Sequence, residues 1–293
     1  MLAHTESGDR GQLDVAPPTE SDRPIPRKSN DNHPRPPKPV RMVDDLVMAL
    51  RFFSRLPTGD GEHEKPDLNR IARILPFASL VIGLAPVAVL ALCGWLALPG
   101  LFAAAFAVAL WVLVTGAMAE DGLADAADGL FGGTTRERRL EILKDSRHGT
   151  YGVAALCLLL VMRVAALGTL VTIHPLKAAA IWLAAMILAR SGALWLTVSL
   201  PNARADGASA AAGRVGKTAF GIGMAFALAL GFVFLAPAAG LLAFLVAVIL
   251  AIGVALGWSA LCRRLLGGQT GDLIGALQAL IEVAVFLAVL VFV

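Results

Sequence analysis

Charged side chains are scarce in this sequence. Asp, Glu, Lys and Arg together make up 16% of the 293 residues, whereas hydrophobic residues make up 57%. The mean hydropathy is +0.72, and all three values lie outside the usual range of soluble domains. The shortage of charge therefore excludes an ordinary soluble protein and predicts an integral membrane protein.

Cysteine and histidine are also rare. The three cysteines, Cys93, Cys157 and Cys262, lie in or beside apolar runs, so we expect packing roles for them and no disulfides. The five histidines are scattered and form no Cys/His spacing typical of a zinc site. No stretch combines basic and aromatic residues in the manner of a nucleic-acid-binding module, so we expect no nucleic-acid partner.

Long apolar runs are what the sequence has in abundance. A helix crosses the hydrocarbon of a bilayer in about 20 residues, and seven runs approach this length: 74–97, 101–119, 153–173, 176–199, 219–237, 240–261 and 273–293. They lack the alternating pattern of barrel strands, so their backbone hydrogen bonds must be satisfied within helices. We predict an all-α, polytopic integral membrane protein with about seven transmembrane helices in a lipid bilayer.

The N-terminal segment has a different composition. Residues 1–42 hold half of the chain's 16 prolines and almost no large apolar side chains, which predicts a disordered cytoplasmic tail without a secretory signal. The following stretch "VRMVDDLVMALRFFSRLPTG" mixes large apolar residues with Arg51 and Arg55. This mixture is typical of an interfacial helix that ends before Pro57. Residues 43–293 are then expected to form one membrane-embedded domain.

Basic residues concentrate in alternate loops. One side of the membrane receives the N-terminal tail together with Arg136, Arg138, Arg139, Lys144, Arg147, Arg204, Arg214, Lys217, Arg263 and Arg264. The other side receives the short turns "LPG", "HP" and "APAAG". The positive-inside rule makes the basic side cytoplasmic. We therefore expect a multi-pass protein of the cytoplasmic (inner) membrane, with its N-terminus inside and its C-terminus outside.

The stretch "EDGLADAADG", residues 120–129, places four carboxylates directly after an apolar run. Asp121, Asp125 and Asp128 fall within roughly 60° of one another on a helix. Such like charges repel unless a cation compensates them, and oxygen ligands favour Mg²⁺ or Mn²⁺. We predict a metal site on this face, with Glu120 supporting it from about 100° around the helix. A solvated acidic helix end is the alternative.

A mixed-charge segment, "FGGTTRERRLEILKDSRHGTYG", follows the acidic helix. Lys144 and Arg147 flank Asp145 there, and this pattern is often only a solvated face. Beside an acidic helix at the mouth of a span, however, Lys144 and Arg147 are suited to bind phosphates that the metal also bridges.

A glycine-rich stretch, "GGQTGDLIGA", begins the last span at residues 267–276. It lacks the lysine of a P-loop, so it does not predict nucleotide hydrolysis by that route. Its glycines allow the backbone to approach a ligand closely. We therefore include Gln269, Gly271 and Asp272 among the predicted substrate-binding residues.

Apart from Lys177 at the start of its run, three charged residues lie within the apolar runs. Arg163 and Glu282 are each about ten residues from the basic end of their runs, and an unpaired charge at that depth is costly. We predict an ion pair between them with a structural role. Arg190 lies nearer the basic end of its run and is predicted to bind substrate.

The motifs "DGLADAADG", "RRLEILKDSRHGTYG" and "LGGQTGDLIGA" resemble those of the cobalamin synthase family (adenosylcobinamide-GDP ribazoletransferases), in the same order and spacing. "FFSRLP" and "ARSGA" match as well, and the resemblance runs from about residue 44 to the end. Two positions differ. Ala119 stands where the family commonly has a histidine, and Ala279 stands where some members have an acid.

The resemblance implies a Mg²⁺-dependent reaction between adenosylcobinamide-GDP and α-ribazole or its 5′-phosphate. The products would be adenosylcobalamin or its 5′-phosphate, and GMP. On this hypothesis Asp121, Asp125 and Asp128 hold the metal on the pyrophosphate, while Lys144, Arg147 and Arg190 grip its oxygens. Asp145 would orient or deprotonate the attacking hydroxyl. The sequence leaves open a homo-oligomer and contacts with other corrinoid-pathway enzymes.

Two other functions are compatible with parts of this pattern. A membrane phosphotransferase that uses a CDP-alcohol also has Asp-Gly followed by spaced aspartates, although it spreads them over a longer stretch. A proton-coupled secondary transporter would use intramembrane acids such as Glu282. Against transport, the acids cluster at one membrane face.

Overall fold

The computed structural model of the protein describes residues 42–59, 65–145, 147–204 and 211–293, and these ranges are predominantly helical. The predicted disordered tail lies outside them except for Met42. The helices are α1 (Met42–Phe53), α2 (Leu68–Trp95), α3 (Gly100–Thr115), α4 (Met118–Gly132), α5 (Arg136–Ile142), α6 (Thr150–Ile173), α7 (Pro175–Ala193), α8 (Trp195–Ser199), α9 (Lys217–Ala239), α10 (Leu241–Leu266) and α11 (Gly271–Leu290). No strand occurs in the described ranges, so the predicted all-α class is confirmed.

Six of the predicted spans appear as helices long and apolar enough to cross a membrane. They are α2, α6, α7 with α8, α9, α10 and α11. The span containing α2 begins six residues before the predicted run, because the side chain of Asp67 accepts hydrogen bonds from the amides of Asn69 and Arg70 and caps the helix there. The helical membrane-protein class predicted from composition is therefore confirmed.

The remaining predicted span, 101–119, is bent. Helix α3 ends at Thr115, and α4 leaves it at an angle of 86°. Gly116 and Ala117 form the break with φ angles of 63° and 58°, a left-handed conformation that ends a helix. The span predicted to reach residue 119 therefore stops earlier, and the acidic residues lie on a separate helix.

Three polar connections lie together at one end of the helices: those between α4 and α6, between α8 and α9, and between α10 and α11. We call this end the polar end. The guanidinium of Arg136 donates to the carbonyl oxygens of Leu266, at 2.8 Å, and Ala203, at 3.1 Å. The turns between the spans meet at the opposite end, where a Cβ on Gly100 would lie 2.5 Å from the carbonyl oxygen of Gly168. The basic connections therefore lie together, as the alternation of spans predicts.

Helix α1 lies beside α2 and matches the predicted helix before Pro57. Its Met48, Ala49 and Phe53 are buried, and an ion pair of 2.6 Å joins Asp45 to Arg70 of α2. The interfacial location of α1 remains a prediction.

Helix α4 crosses the first turns of α6 and α11 at points where glycine allows close approach. A Cβ on Gly122 would lie 2.8 Å from the carbonyl oxygen of Asp272, and a Cβ on Gly152 would lie 2.9 Å from that of Ala124. Because side chains are absent at these crossings, the backbones nearly touch. This packing holds the acidic helix across the polar end.

Candidate active site

Two of the four carboxylates on α4 meet a histidine from the loop before α6. One ligand atom from each of Asp121, Asp125 and His148 lies within 4.8 Å of the others. The Nε2 atom of His148 is 3.8 Å from Asp121 Oδ1, and its Nδ1 atom is 3.5 Å from Asp125 Oδ1. We call these three residues the acidic cluster. His148 was not among the predicted site residues, because its only signal in the sequence is its place in the "SRHGTYG" stretch.

The carboxylate of Asp128 binds the backbone at the start of α6. Its Oδ2 atom accepts a 2.6 Å hydrogen bond from the amide of Gly149, and its Oδ1 atom accepts a 2.9 Å bond from Gly152. These amides begin α6, where helix N–H groups lack intrahelical partners and carry partial positive charge. Both carboxylate oxygens thus accept hydrogen bonds from the N-terminal end of α6. Asp128 therefore caps α6 in this structure, and its predicted role as a metal ligand stays a prediction.

Glu120 points toward α6, and its predicted supporting role at a metal stays a prediction. Its side chain is buried, and its Oε1 atom accepts a 2.6 Å hydrogen bond from Arg163. The same guanidinium donates at 2.6 Å to Glu282, which also accepts at 2.9 Å from the indole of Trp182. The predicted Arg163–Glu282 pair is present and has Glu120 as a third member. Glu120 therefore faces the protein interior and not the acidic cluster.

The electrostatics of the acidic cluster favour a bound cation. Burial raises the pKa of Asp125 from 3.8 to about 6, and the negative charges of Asp121 and Asp272 add to this effect. His148 opposes the shift when protonated. A divalent cation would stabilise the ionised form of Asp125 against both its burial and the repulsion by Asp121 and Asp272.

The loop before α6 holds an ion pair at its surface. Asp145 accepts hydrogen bonds of 3.0 and 2.7 Å from the Arg147 guanidinium and one of 3.1 Å from the Arg147 amide. This partner lowers the pKa of Asp145 to about 2. Such a carboxylate is a weak proton acceptor, which counts against the predicted deprotonating role of Asp145. Lys144 is exposed just before this pair.

The glycine-rich loop is joined to the connection after α8. Gln269 exchanges backbone hydrogen bonds with Pro201 and Ala203, and its side-chain amide donates to Asn202. Gln269 is buried, so it holds two loops together and is a poor candidate for direct substrate contact. Gly271, the other backbone position predicted there, is the first residue of α11.

Asp272 lies near the acidic cluster, close enough for its charge to raise the pKa of Asp125. Its Oδ2 atom accepts a 3.2 Å hydrogen bond from the Thr270 hydroxyl and lies 3.5 Å from the guanidinium of Arg204. Arg204 thus brings a cation to this side of the site. The sequence analysis counted Arg204 only among the basic loop residues, since no local motif marks it.

Arg190 is placed inside the helices. Only 2% of this residue is exposed, and its guanidinium carbon lies 5.1 Å from the Trp111 ring centroid and 5.6 Å from that of Phe53. Its Nη1 atom lies 3.4 Å from the Ser79 hydroxyl. These contacts give Arg190 a buried cation–π environment. Its predicted contact with substrate stays a prediction.

The acidic cluster offers ligand atoms that suit a divalent metal. Carboxylate oxygens suit Mg²⁺ and Mn²⁺, and Mg²⁺ usually completes its coordination with water and substrate phosphates. Asp121 and Asp125 supply such oxygens. The imidazole of His148 is less typical of a Mg²⁺ ligand, so the two carboxylates are the groups that could hold such a metal.

The fold and the site together define a class: a polytopic helical membrane enzyme with a carboxylate site at one end of its spans. The family profile described as cobalamin-5-phosphate synthase matches residues 45–290. This chain therefore belongs to the cobalamin-5-phosphate synthase family, as the motifs of the sequence indicate.

Similar proteins agree with this assignment. A protein of Azorhizobium caulinodans named adenosylcobinamide-GDP ribazoletransferase is 45% identical over 86% of this chain and 97% of its own length. Proteins with the same name from Xanthobacter autotrophicus and a Sinorhizobium species are 44% and 42% identical, over 86% and 83% of this chain and 97% and 94% of their own lengths. No solved structure matches the chain.

Proposed function

We propose that this protein joins adenosylcobinamide-GDP to α-ribazole or its 5′-phosphate, giving adenosylcobalamin or its 5′-phosphate and releasing GMP. Family membership over residues 45–290 supports the reaction. The acidic cluster supports the chemistry, because two carboxylates and an imidazole converge at the polar end. In the reaction a ribose hydroxyl forms a new oxygen–phosphorus bond while the bond from that phosphorus to GMP breaks.

Mg²⁺ is the metal that we propose for Asp121 and Asp125. When bound, it would neutralise charge on the pyrophosphate and on the departing phosphate. The two carboxylates are one helical turn apart on α4 and are held close together by its regular backbone. The cap made by Asp128 and the ion pair made by Glu120 fix the ends of this helix, so the two remaining acids keep one orientation.

Basic residues around the acidic cluster are proposed to bind the phosphates. Arg204 beside Asp272, and Arg147 beside Asp145, supply guanidinium groups from two loops that flank the cluster. Lys144 precedes the second pair. Asp272 and Asp145 orient these arginines in the absence of substrate. Phosphate binding would then draw each guanidinium partly away from its carboxylate.

We assign the proton-accepting role to His148. Imidazole exchanges a proton near neutral pH, and the ring lies between the carboxylates of Asp121 and Asp125. The proton of the attacking hydroxyl would pass to His148, and both carboxylates would stabilise the imidazolium that forms. Asp145, with its low pKa, would position Arg147 instead.

The location in the cell is also a proposal. The basic connections gathered at the polar end are supported as cytoplasmic by the positive-inside rule. The site would then lie on the cytoplasmic side of the inner membrane, where water-soluble GMP can leave. With an odd number of crossings, α3 being one of them, the C-terminus would lie on the outer side.

The test is GMP release by the protein reconstituted in liposomes with adenosylcobinamide-GDP, α-ribazole and Mg²⁺. We expect GMP and a corrinoid product from the parent chain, and loss of at least a hundredfold in rate for Asp125→Asn. The matched control is Glu141→Gln, since Glu141 is an exposed acid paired only with Arg138 on α5 in the described structure. No GMP from a monodisperse parent protein, or equal loss in both variants, would contradict the proposal.

A further inference from the structure

An apolar cavity lies among α7, α8, α9, α10 and α11, apart from the acidic cluster. Its volume is about 270 Å³. The lining includes Leu188, Trp195, Phe220, Met224, Leu256 and Ile281. No charged side chain lines it within the described parts of the chain, so the cavity is suited to a hydrocarbon and not to a phosphate-bearing substrate.

The cavity is bordered by the helices that are most exposed to lipid. Within an apolar 18-residue stretch of each helix, only 28% of α9 and 22% of α10 is buried. The corresponding share is 83% for the span from Pro175 to Ser199. Ile252 and Leu256 line the cavity and are nevertheless 55% and 54% exposed. The cavity therefore communicates with the outer surface of the spans, where acyl chains of the bilayer lie.

Two basic residues lie on the same helix faces as residues that line the cavity, but closer to the polar end. Lys217 precedes Phe220 by three residues and Met224 by seven, so it shares their face of α9. Arg263 follows Leu256 by seven residues on α10 and shares its face in the same way. Both residues are exposed. They provide positive charge where the headgroup of a lipid in the cavity would lie.

From these observations we propose that the cavity binds one acyl chain of an anionic phospholipid. Lys217 and Arg263 attract the phosphate, and the ring of Trp195 contributes apolar surface to the lining. The span of the lining along α9, from Phe220 to Leu228, is about 12 Å at 1.5 Å per residue. This length accommodates the upper part of one acyl chain. The site is independent of the proposed transferase reaction.

The test is native mass spectrometry of the purified protein titrated with phosphatidylglycerol or phosphatidylcholine. We expect one tightly bound phosphatidylglycerol on the parent chain and at least tenfold weaker binding in Ala251→Phe, which fills the cavity. Ile249→Phe is the matched control on the same helix, because Ile249 is exposed and outside the lining. The double variant Lys217→Gln/Arg263→Gln should lose the preference for phosphatidylglycerol. Binding unchanged in Ala251→Phe, or reduced equally by Ile249→Phe, would overturn the proposal.

A second measurement uses the parent fold and a mild substitution. In vesicles of phosphatidylglycerol brominated along its acyl chains, tryptophan fluorescence should be quenched more than in brominated phosphatidylcholine. Trp195→Phe should remove this excess, because the excess quenching comes from the indole at the cavity. Equal quenching by the two lipids in the parent protein would overturn the proposal even if the cavity-filling variant failed to fold.

Discussion

Replacing Arg163 by methionine should strongly destabilise the protein. Arg163 is fully buried and donates to Glu120 and Glu282, each at 2.6 Å. Methionine retains much of the side-chain length but removes the charge. Two buried carboxylates would then lose their shared cation. Breaking a buried ion pair in this way costs roughly 3–5 kcal/mol.

The expected loss can be measured as a change in thermal unfolding in detergent. About 1 kcal/mol shifts the Tm of a protein of this size by roughly 2–4 °C, so Arg163→Met should lower Tm by about 6–20 °C. Arg190→Met is the matched comparison, since Arg190 is equally buried but has aromatic rings and a hydroxyl as its contacts. Loss of a cation–π contact is worth roughly 0.5–2 kcal/mol, so the fall should be smaller.

A charge-neutral variant separates the effect of charge from that of shape. In Glu120→Gln/Arg163→Met/Glu282→Gln the two carboxylates that lose Arg163 are neutral as well, so part of the lost Tm should return. The remainder reflects buried Arg190, which both carboxylates attract in the parent protein. If Arg163→Met unfolds at the temperature of the parent, the ion pair contributes no stability. If the triple variant is as unstable as the single one, packing of the arginine matters more than its charge. Either result would refute the electrostatic reasoning.

Three further predictions concern α4 and its surroundings. Because Asp125 has a pKa of about 6, protons compete with the metal below that pH, and the apparent Mg²⁺ affinity in the GMP-release assay should fall about tenfold per pH unit below pH 6; a flat affinity from pH 5 to 7 would contradict this. Asp128→Ala removes both hydrogen bonds to the start of α6 and should cost roughly 1–3 kcal/mol in unfolding experiments, with Asp128→Asn costing less. Gly152→Ala places a Cβ 2.2 Å from Asp128 Oδ2 and should abolish activity and lower Tm, whereas Gly253→Ala, with no atom within 4 Å of its Cβ, should do neither.

Hydrophobic composition was sufficient to predict the helical class and most of the spans. A run of about 20 apolar residues has few alternatives to a membrane helix, because the bilayer leaves no water for its backbone. The pairing of Arg163 with Glu282 could also be inferred, since both lie at a similar depth and neither tolerates isolation there. These inferences rest on the free-energy cost of placing an unpaired charge or an unsatisfied backbone group in the bilayer. That cost depends on residue type and depth, and both can be read from the sequence.

The directions of the four acids on α4 could not be inferred in the same way. Helical periodicity placed Asp121, Asp125 and Asp128 on one face, but partners from distant segments decide where each carboxylate binds. Asp128 meets amides at the start of α6, and Glu120 meets a guanidinium from the middle of α6. His148 reaches the cluster through a loop whose course is set by tertiary packing. The 86° break after α3 had only "TGAMA" as its local signal.

Of the four acids on α4, Glu120 and Asp128 bind groups of α6 and its start, whereas Asp121 and Asp125 face His148. This division follows from the composition of α4. The helix consists mainly of Ala, Gly and acidic residues, so its crossings with α6 and α11 are close but bury few large side chains. Such smooth contacts fix the position of a helix better than its rotation about its own axis. The bond from Glu120 to Arg163 supplies a directional constraint at one end, and the bonds from Asp128 to two amides supply another. Because both ends are fixed in rotation, Asp121 and Asp125 are held facing His148.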